Sequence, residues 1–320
     1  KKKFLNSFMR TGVFLNYIGL GANLLHLAYC HKIASIHGPI TLISLAKNLD
    51  QALEDDHLIK QVVIFDKNKK ITDIPKISSN LRKLDLECIF IFYPSARLYL
   101  AAKLAGIKKV FCYPLLKKKE LHLVEAAKEF TCKSLNLLDC DTETLIEISE
   151  KKIEKTKKYF DQNKFNIVIG AGSSGSDTRW GEKNFINLIN QLNSKSNFYF
   201  YIQAGPDQKN ISREIIDNVD KKNCMDLSNL SVREIIPFFS LCDAYVGNDS
   251  FMHHVTSQSG KPAIVLLINS PRAYTDYSKN YHRIIPDNTS IDNINHSFLH
   301  TPDSISVEKV IDKVLKIKSK

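Results

Sequence analysis

Short runs of β-branched and aromatic residues alternate with segments of helical period along this chain, and the series starts twice. Val13–Leu15, Ile40–Ile43, Val62–Phe65, Cys88–Phe92 and Val110–Tyr113 form the first series. Asn166–Gly170, Phe198–Gln203, Ala244–Gly247 and Ala263–Ile268 form the second. Each run of the first series reads as a strand covered on both faces, and such strands belong to parallel sheets flanked by helices. Apolar stripes at helical spacing lie between them (Phe185, Leu188, Ile189, Leu192), and another closes the series (Val307, Val310, Ile311, Val314). The pattern predicts an α/β protein of two Rossmann-like halves with a cleft between them. In Asp141–Lys164, Leu145, Ile148 and Ile153 at helical spacing give way to a Lys/Glu-rich stretch over 150–158, which reads as a solvated helix and linker. The expected divisions are residues 1–150, a linker over 151–164, a second domain over 165–300 and a C-terminal helix over 301–320. A length of 320 residues suits two domains, and 43% apolar with 25% charged residues excludes a disordered or collagen-like chain. No short-period repeat marks a solenoid.

Lys and Arg number 45 against 34 Asp and Glu, a net charge of +11. Such a balance favours anionic partners: nucleotides, nucleic acid, acidic lipids or phosphorylated sugars. No signature of an RNA- or DNA-binding module accompanies it. The seven cysteines are scattered without a C-x-x-C pair, so reduced thiols and a cytoplasmic location are expected rather than a disulfide framework or structural zinc. Lys1–Lys3 before an apolar stretch imitates a secretion signal, but Asn16, Asn23 and His26 interrupt it and no cleavage pattern follows. No apolar run approaches the ~20 residues of a membrane span.

Three strand-to-helix loops have the composition of anion sites, where glycines admit a ligand and helix N-termini present N–H groups. The first is Gly19-Leu20-Gly21-Ala22-Asn23, which as readily makes a tight turn. The second runs from Gly170 to Trp180, with Ser173, Ser174 and Arg179 before a helix starting near Glu182. Hydroxyls, backbone N–H groups and a forked guanidinium suit phosphate oxygens; the alternative is a loop with an N-cap. The third is Gly247-Asn248-Asp249-Ser250-Phe251-Met252-His253-His254, with a helix expected over Val255–Pro262. One of its two histidines reads as a packing residue, and Asp249 as a cap is the plain alternative.

Together these motifs resemble the ADP-heptose:lipopolysaccharide heptosyltransferases, glycosyltransferase family 9. The resemblance rests on Gly247-Asn248-Asp249-Ser250, His254 and Gly260-Lys261-Pro262 at matching spacing. It is extended by Ser173, Ser174, Arg179-Trp180, Ala204-Gly205-Pro206, Asp226-Leu227-Ser228 and the stretch from Ser270-Pro271 to His282-Arg283. It is strong over 166–285 and looser before. It implies a GT-B fold with acceptor on the N-terminal domain and nucleotide sugar on the C-terminal one. It also implies inversion at the anomeric carbon without a metal or other cofactor, the nucleotide sugar (ADP-linked) being substrate. Carried over, Gly21, Ser173, Ser174, Arg179, Gln208, Asn248, Asp249, Ser250, Phe251 and His254 would bind the donor. The sequence departs from the family at Ala22, where the family's presumed base is Asp, and at Thr178, Gln208 and Phe251, where it has Lys, Glu and Gly. Asp249 and His26 are therefore the expected catalytic residues, His26 being the one residue near Ala22 with a base's chemistry.

The expected function is transfer of a heptose onto lipopolysaccharide core or another cell-envelope glycan. The basic excess, including Lys1–Lys3 and Lys117–Lys119, is read as contact with anionic lipid at the cytoplasmic membrane face or as solubility alone. A nucleotide-sugar-binding protein without catalysis, motivated by Ala22, and a GT-B transferase using another donor are the alternatives.

Overall fold

The structure, a computed structural model, describes residues 9–67, 70–114, 123–173, 175–195, 197–294 and 300–319. The chain divides into two units, Lys1–Glu147 and Ile148–Lys320. In the first, β1 (Thr11–Leu15), α1 (Leu20–Leu24), α2 (Leu27–His37), β2 (Ile40–Ser44), α3 (Leu49–Ala52) and β3 (Ile59–Ile64) lead to α4 (Ile74–Arg82). Then come β4 (Cys88–Ile91), α5 (Ala96–Leu104), β5 (Lys109–Cys112) and α6 (Leu123–Leu135). The strands pair in parallel in the order β3-β2-β1-β4-β5.

The second unit begins with α7 (Glu150–Lys157), β6 (Phe165–Gly170), α8 (Glu182–Lys195), β7 (Phe198–Gln203), α9 (Lys209–Asp217) and β8 (Cys224–Asp226). It continues with α10 (Val232–Leu241), β9 (Ala244–Asn248), α11 (Phe251–Gln258), β10 (Ala263–Leu266), β11 (Tyr281–Ile284) and α12 (Val307–Lys318). Its sheet is also parallel, in the order β11-β10-β9-β6-β7-β8. Trp180, Phe185, Phe198 and Phe200 share one core with Ile305, Val310 and Val314, so α12 closes this sheet's face.

The central strands β1, β2, β4, β9 and β10 are buried along their whole length. The expectation that every run is covered on both faces fails at β3 and β5, which are edge strands with partly exposed residues. Residues 141–149 carry no helix, and Leu145 there is exposed. The stretch expected as a linker starts as α7 and continues into Tyr159 and Phe160, whose rings lie against Phe238 and, for Phe160, stack on Tyr201 at 4.6 Å. It is an integral part of the second unit. All seven cysteines are free thiols. No helix among the described residues is long and apolar enough to cross a membrane.

Candidate functional site

In each sheet the chain first builds outward to one side and then returns to the centre to build the other. The reversal falls between β1 and β4 in the first unit and between β6 and β9 in the second. Such switch points leave a crevice at the carboxyl ends of the two central strands. In the second unit the segment that leaves β6, residues 171–181, carries three glycines and four hydroxyl side chains, and the short connection that leaves β9 is Asp249-Ser250.

Gly170 and Gly247 are paired across these strands. A Cβ on Gly247 would stand 2.4 Å from Gly170 O, and one on Gly170 would stand 2.0 Å from Tyr245 Oη. The Tyr245 hydroxyl passes over both glycines and donates to Asn248 O at 2.7 Å. Asn248 is fully buried; its Nδ2 donates to Ala171 O at 2.7 Å and its Oδ1 accepts from Trp180 N at 2.9 Å. Both ends of the Asn248 amide, expected at the donor, thus fasten one loop to the other. Gln208 likewise holds loop backbone with its amide. Its Oε1 accepts from Ser173 N at 3.1 Å, and its Nε2 donates to Ser173 O at 2.7 Å. Ser173 Oγ donates to Asp249 O at 3.2 Å and lies 2.5 Å from Thr178 Oγ1, which in turn donates to Gly175 O. Thr178 thus shuts the turn that it belongs to.

Trp180 is buried, donates from Nε1 to Ile305 O at 2.9 Å, and meets Phe185 edge-on at 5.0 Å. Beside this anchor, Arg179 is half-buried and its Nε is buried with no partner among the described residues. A desolvated guanidinium N–H without an acceptor is costly and calls for an anion. Ser174 lies outside the described residues, as do Lys1–Lys3 and Lys117–Lys119.

The helix after β9 begins four residues earlier than expected, at Phe251, with Ser250 as an N-cap that makes no side-chain cap bond. Its first-turn N–H groups, without a side-chain cap, face the crevice end of β9. The early start turns both histidines to the covered side: His253 is 0% and His254 1% exposed. His254, expected on the donor, instead meets Tyr277 Oη through Nδ1 at 2.6 Å with its ring parallel to that tyrosine. Phe251 packs edge-on against Phe239. Asp249 keeps 15% of its side chain exposed, and its Oδ1 accepts from His253 Nε2 at 2.7 Å. His253 and Tyr245 were not singled out by sequence reasoning. The four-residue spacing of Asp249 and His253 would have flagged the pair had the helix start been placed correctly.

In the first unit, Gly21 and Ala22 lie half-buried on α1. Asn23 donates to Tyr17 O and Gly19 O and accepts from Ser44 Oγ, so it ties the turn to the end of β2. His26 is wholly buried, stacked on Tyr17 at 4.9 Å and flanked by Phe92 and Tyr29. Its Nδ1 donates to Ala22 O at 2.6 Å, its Nε2 has no partner among the described residues, and burial pulls its pKa down to about 4. His26, expected as the base, thus has its ring fully covered in this structure.

Two clusters among the described residues have ligand atoms mutually within 4.8 Å, the spacing a cation would require: Asp249, His253 and His254, and Asp56, His57 and Glu147. In the first, Asp249 and His253 hydrogen-bond each other and Nδ1 of each histidine meets a tyrosine; in the second, Glu147 accepts from His57 N and Nδ1.

Residues 110–295 match the model of glycosyltransferase family 9 (heptosyltransferase). No curated protein matches the chain. Among solved structures, the chain is similar to E. coli ADP-heptose lipopolysaccharide heptosyltransferase II, with 16% identity and a TM-score of 0.74 over 97% of this chain and 98% of that one. A family 9 glycosyl transferase from Veillonella parvula is 18% identical with a TM-score of 0.76, covering 97% of each chain. An E. coli heptosyltransferase solved with ADP is 12% identical with a TM-score of 0.73, covering 97% of this chain and all of that one. These likenesses are in fold: two parallel sheets in the GT-B manner. With the match spanning more than half of its length, the chain belongs to glycosyltransferase family 9.

Proposed function

We propose that the chain transfers heptose from ADP-heptose, with inversion, onto lipopolysaccharide core or another cell-envelope glycan. The observation that carries the reading is Arg179, whose buried, unpartnered Nε stands on the loop leaving β6 at the switch point. A diphosphate supplies the acceptor that this N–H lacks. Its oxygens would also take N–H groups from the first turn of α11 behind Ser250. Leaving-group charge develops there as the acceptor hydroxyl attacks the anomeric carbon, so these donors favour the transition state. Asp249, the partly exposed carboxylate beside them, faces the sugar and is the catalytic candidate that remains after His26.

No cofactor or metal takes part in this scheme, and transfer should survive EDTA. The protein acts at the cytoplasmic membrane face, drawn to an anionic glycolipid by its net charge of +11. One observation favours a second reading, a nucleotide-sugar-binding protein without catalysis: the turn after β1 holds Ala22 and a covered His26, so it offers no base. Calorimetric titration with ADP, UDP, GDP, CMP and then ADP-heptose, followed by a transfer assay with a panel of acceptors, tests the proposal. Preference for ADP with turnover supports it. Tight ADP-heptose binding without turnover favours the second reading, and preference for another nucleotide overturns the donor.

A further inference from the structure

Asp249 accepts a hydrogen bond through Oδ1 alone; among the described residues nothing donates to Oδ2. What fixes Oδ1 is a ring that cannot turn. His253 is fully buried on α11, with Tyr281 edge-on at 5.3 Å, the His254 ring 4.0 Å away and Tyr245 on a further side. Its Nδ1 stands 3.2 Å from Tyr281 Oη, which in turn lies 2.7 Å from Tyr277 Oη. Carboxylate, imidazole and two phenols thus form one chain leading from the crevice into the interior. An imidazole with both nitrogens engaged holds one orientation.

We infer that His253, backed by Tyr281, is the positioning residue of the donor site. It locks the Asp249 carboxylate so that Oδ2 is presented as a fixed acceptor for a hydroxyl of the donor's sugar. The inference rests on the reading that Asp249 faces that sugar. A lone aspartate at a strand end would swing about two side-chain torsions and meet the hydroxyl at an entropic cost, whereas the hydrogen bond to His253 removes that freedom beforehand. ADP has no sugar at that place, so the lock should matter to ADP-heptose and not to ADP. Gln mimics the imidazole by placing its Nε2 near the histidine's Nε2, while Met fills the space without a donor.

The test titrates ADP and ADP-heptose into wild type, Asp249→Asn, His253→Gln, His253→Met and Tyr281→Phe. Expected for His253→Met is a loss of roughly tenfold or more in ADP-heptose affinity, the size of one hydrogen bond to a charged group, with ADP affinity unchanged within about twofold. His253→Gln should restore ADP-heptose binding to within about threefold of wild type, and Tyr281→Phe should give a smaller loss in the same direction. Equal losses for ADP and ADP-heptose in His253→Met would reduce His253 to a structural residue and overturn the inference. So would loss in Asp249→Asn with none in His253→Met, while the reading of Asp249 would stand. Wild-type affinity in Asp249→Asn, or a wild type indifferent to ADP-heptose, would remove that reading and the inference with it. Long-range nitrogen–proton NMR of the unliganded protein gives an independent arm that no variant's folding can spoil: a proton on His253 Nε2 is expected, and one on Nδ1 alone overturns the inference.

Discussion

The residues that shape this site are mostly not those that would touch a ligand. Asn248 and Gln208 spend their amides on loop backbone, and Arg179 is left with an open donor. Arg179→Ala should weaken ADP binding by about 1.5–3 kcal/mol, the range for a hydrogen bond to a charged group. Calorimetry showing unchanged affinity would take Arg179 out of the site. Asn248→Ala leaves Ala171 O and Trp180 N unpartnered in the interior, so it should destabilise the second unit by about 2–4 kcal/mol in urea melts. His26 gives a signed pH effect. Its folded pKa of about 4 lies below the ordinary 6.5, so the unfolded chain binds the extra proton between those values and stability falls as the pH drops through that window. Unfolding free energy should decline by roughly 3 kcal/mol from this source between pH 6.5 and 4. His26→Phe should flatten that slope in melts run across the range.

At the scale of elements, the pairing of β6 with β9 is the frame of the site, and it depends on two residues without side chains. Gly247→Ala would force a Cβ into Gly170 O, a backbone atom that cannot step aside. The expected cost is about 3 kcal/mol or more, measured as a lower urea midpoint, because overpacking between strands shifts backbone. The strands of this frame were legible from sequence, since β1, β2, β4, β6, β7, β9 and β10 are continuous apolar runs. Two were not: β8 is three residues long and includes Asp226, and β11, Tyr281–Ile284, carries His and Arg at a half-exposed edge. Neither has a run that periodicity can detect. The start of α11 was misplaced for a related reason. Phe251, Met252, His253 and His254 look like a loop carrying chemistry, and only the Ser250 cap and the buried face reveal a helix. That error concealed the partner of Asp249, while the two loops that carry Arg179 and Asp249 were singled out by their composition.

On the scale of the whole molecule, two units with separate sheets should answer ligand separately. Saturating ADP, at about 100 times its dissociation constant, should stabilise the unit that binds it by about 2.7 kcal/mol. Hydrogen exchange should slow in β6, β9 and α11 and stay unchanged in β1, β2 and β4; the opposite pattern would place the nucleotide on the first unit. The hydrogen bond from Trp180 to Ile305 joins positions 125 residues apart, and the same core gathers Val307, Val310, Ile311 and Val314. On the ribosome, therefore, the glycine-rich loop leaves the exit tunnel long before the groups that hold its tryptophan in place. The nascent chain can assemble the first sheet while this loop still lacks its anchor. The loop gains its anchor only after 125 further residues have been made.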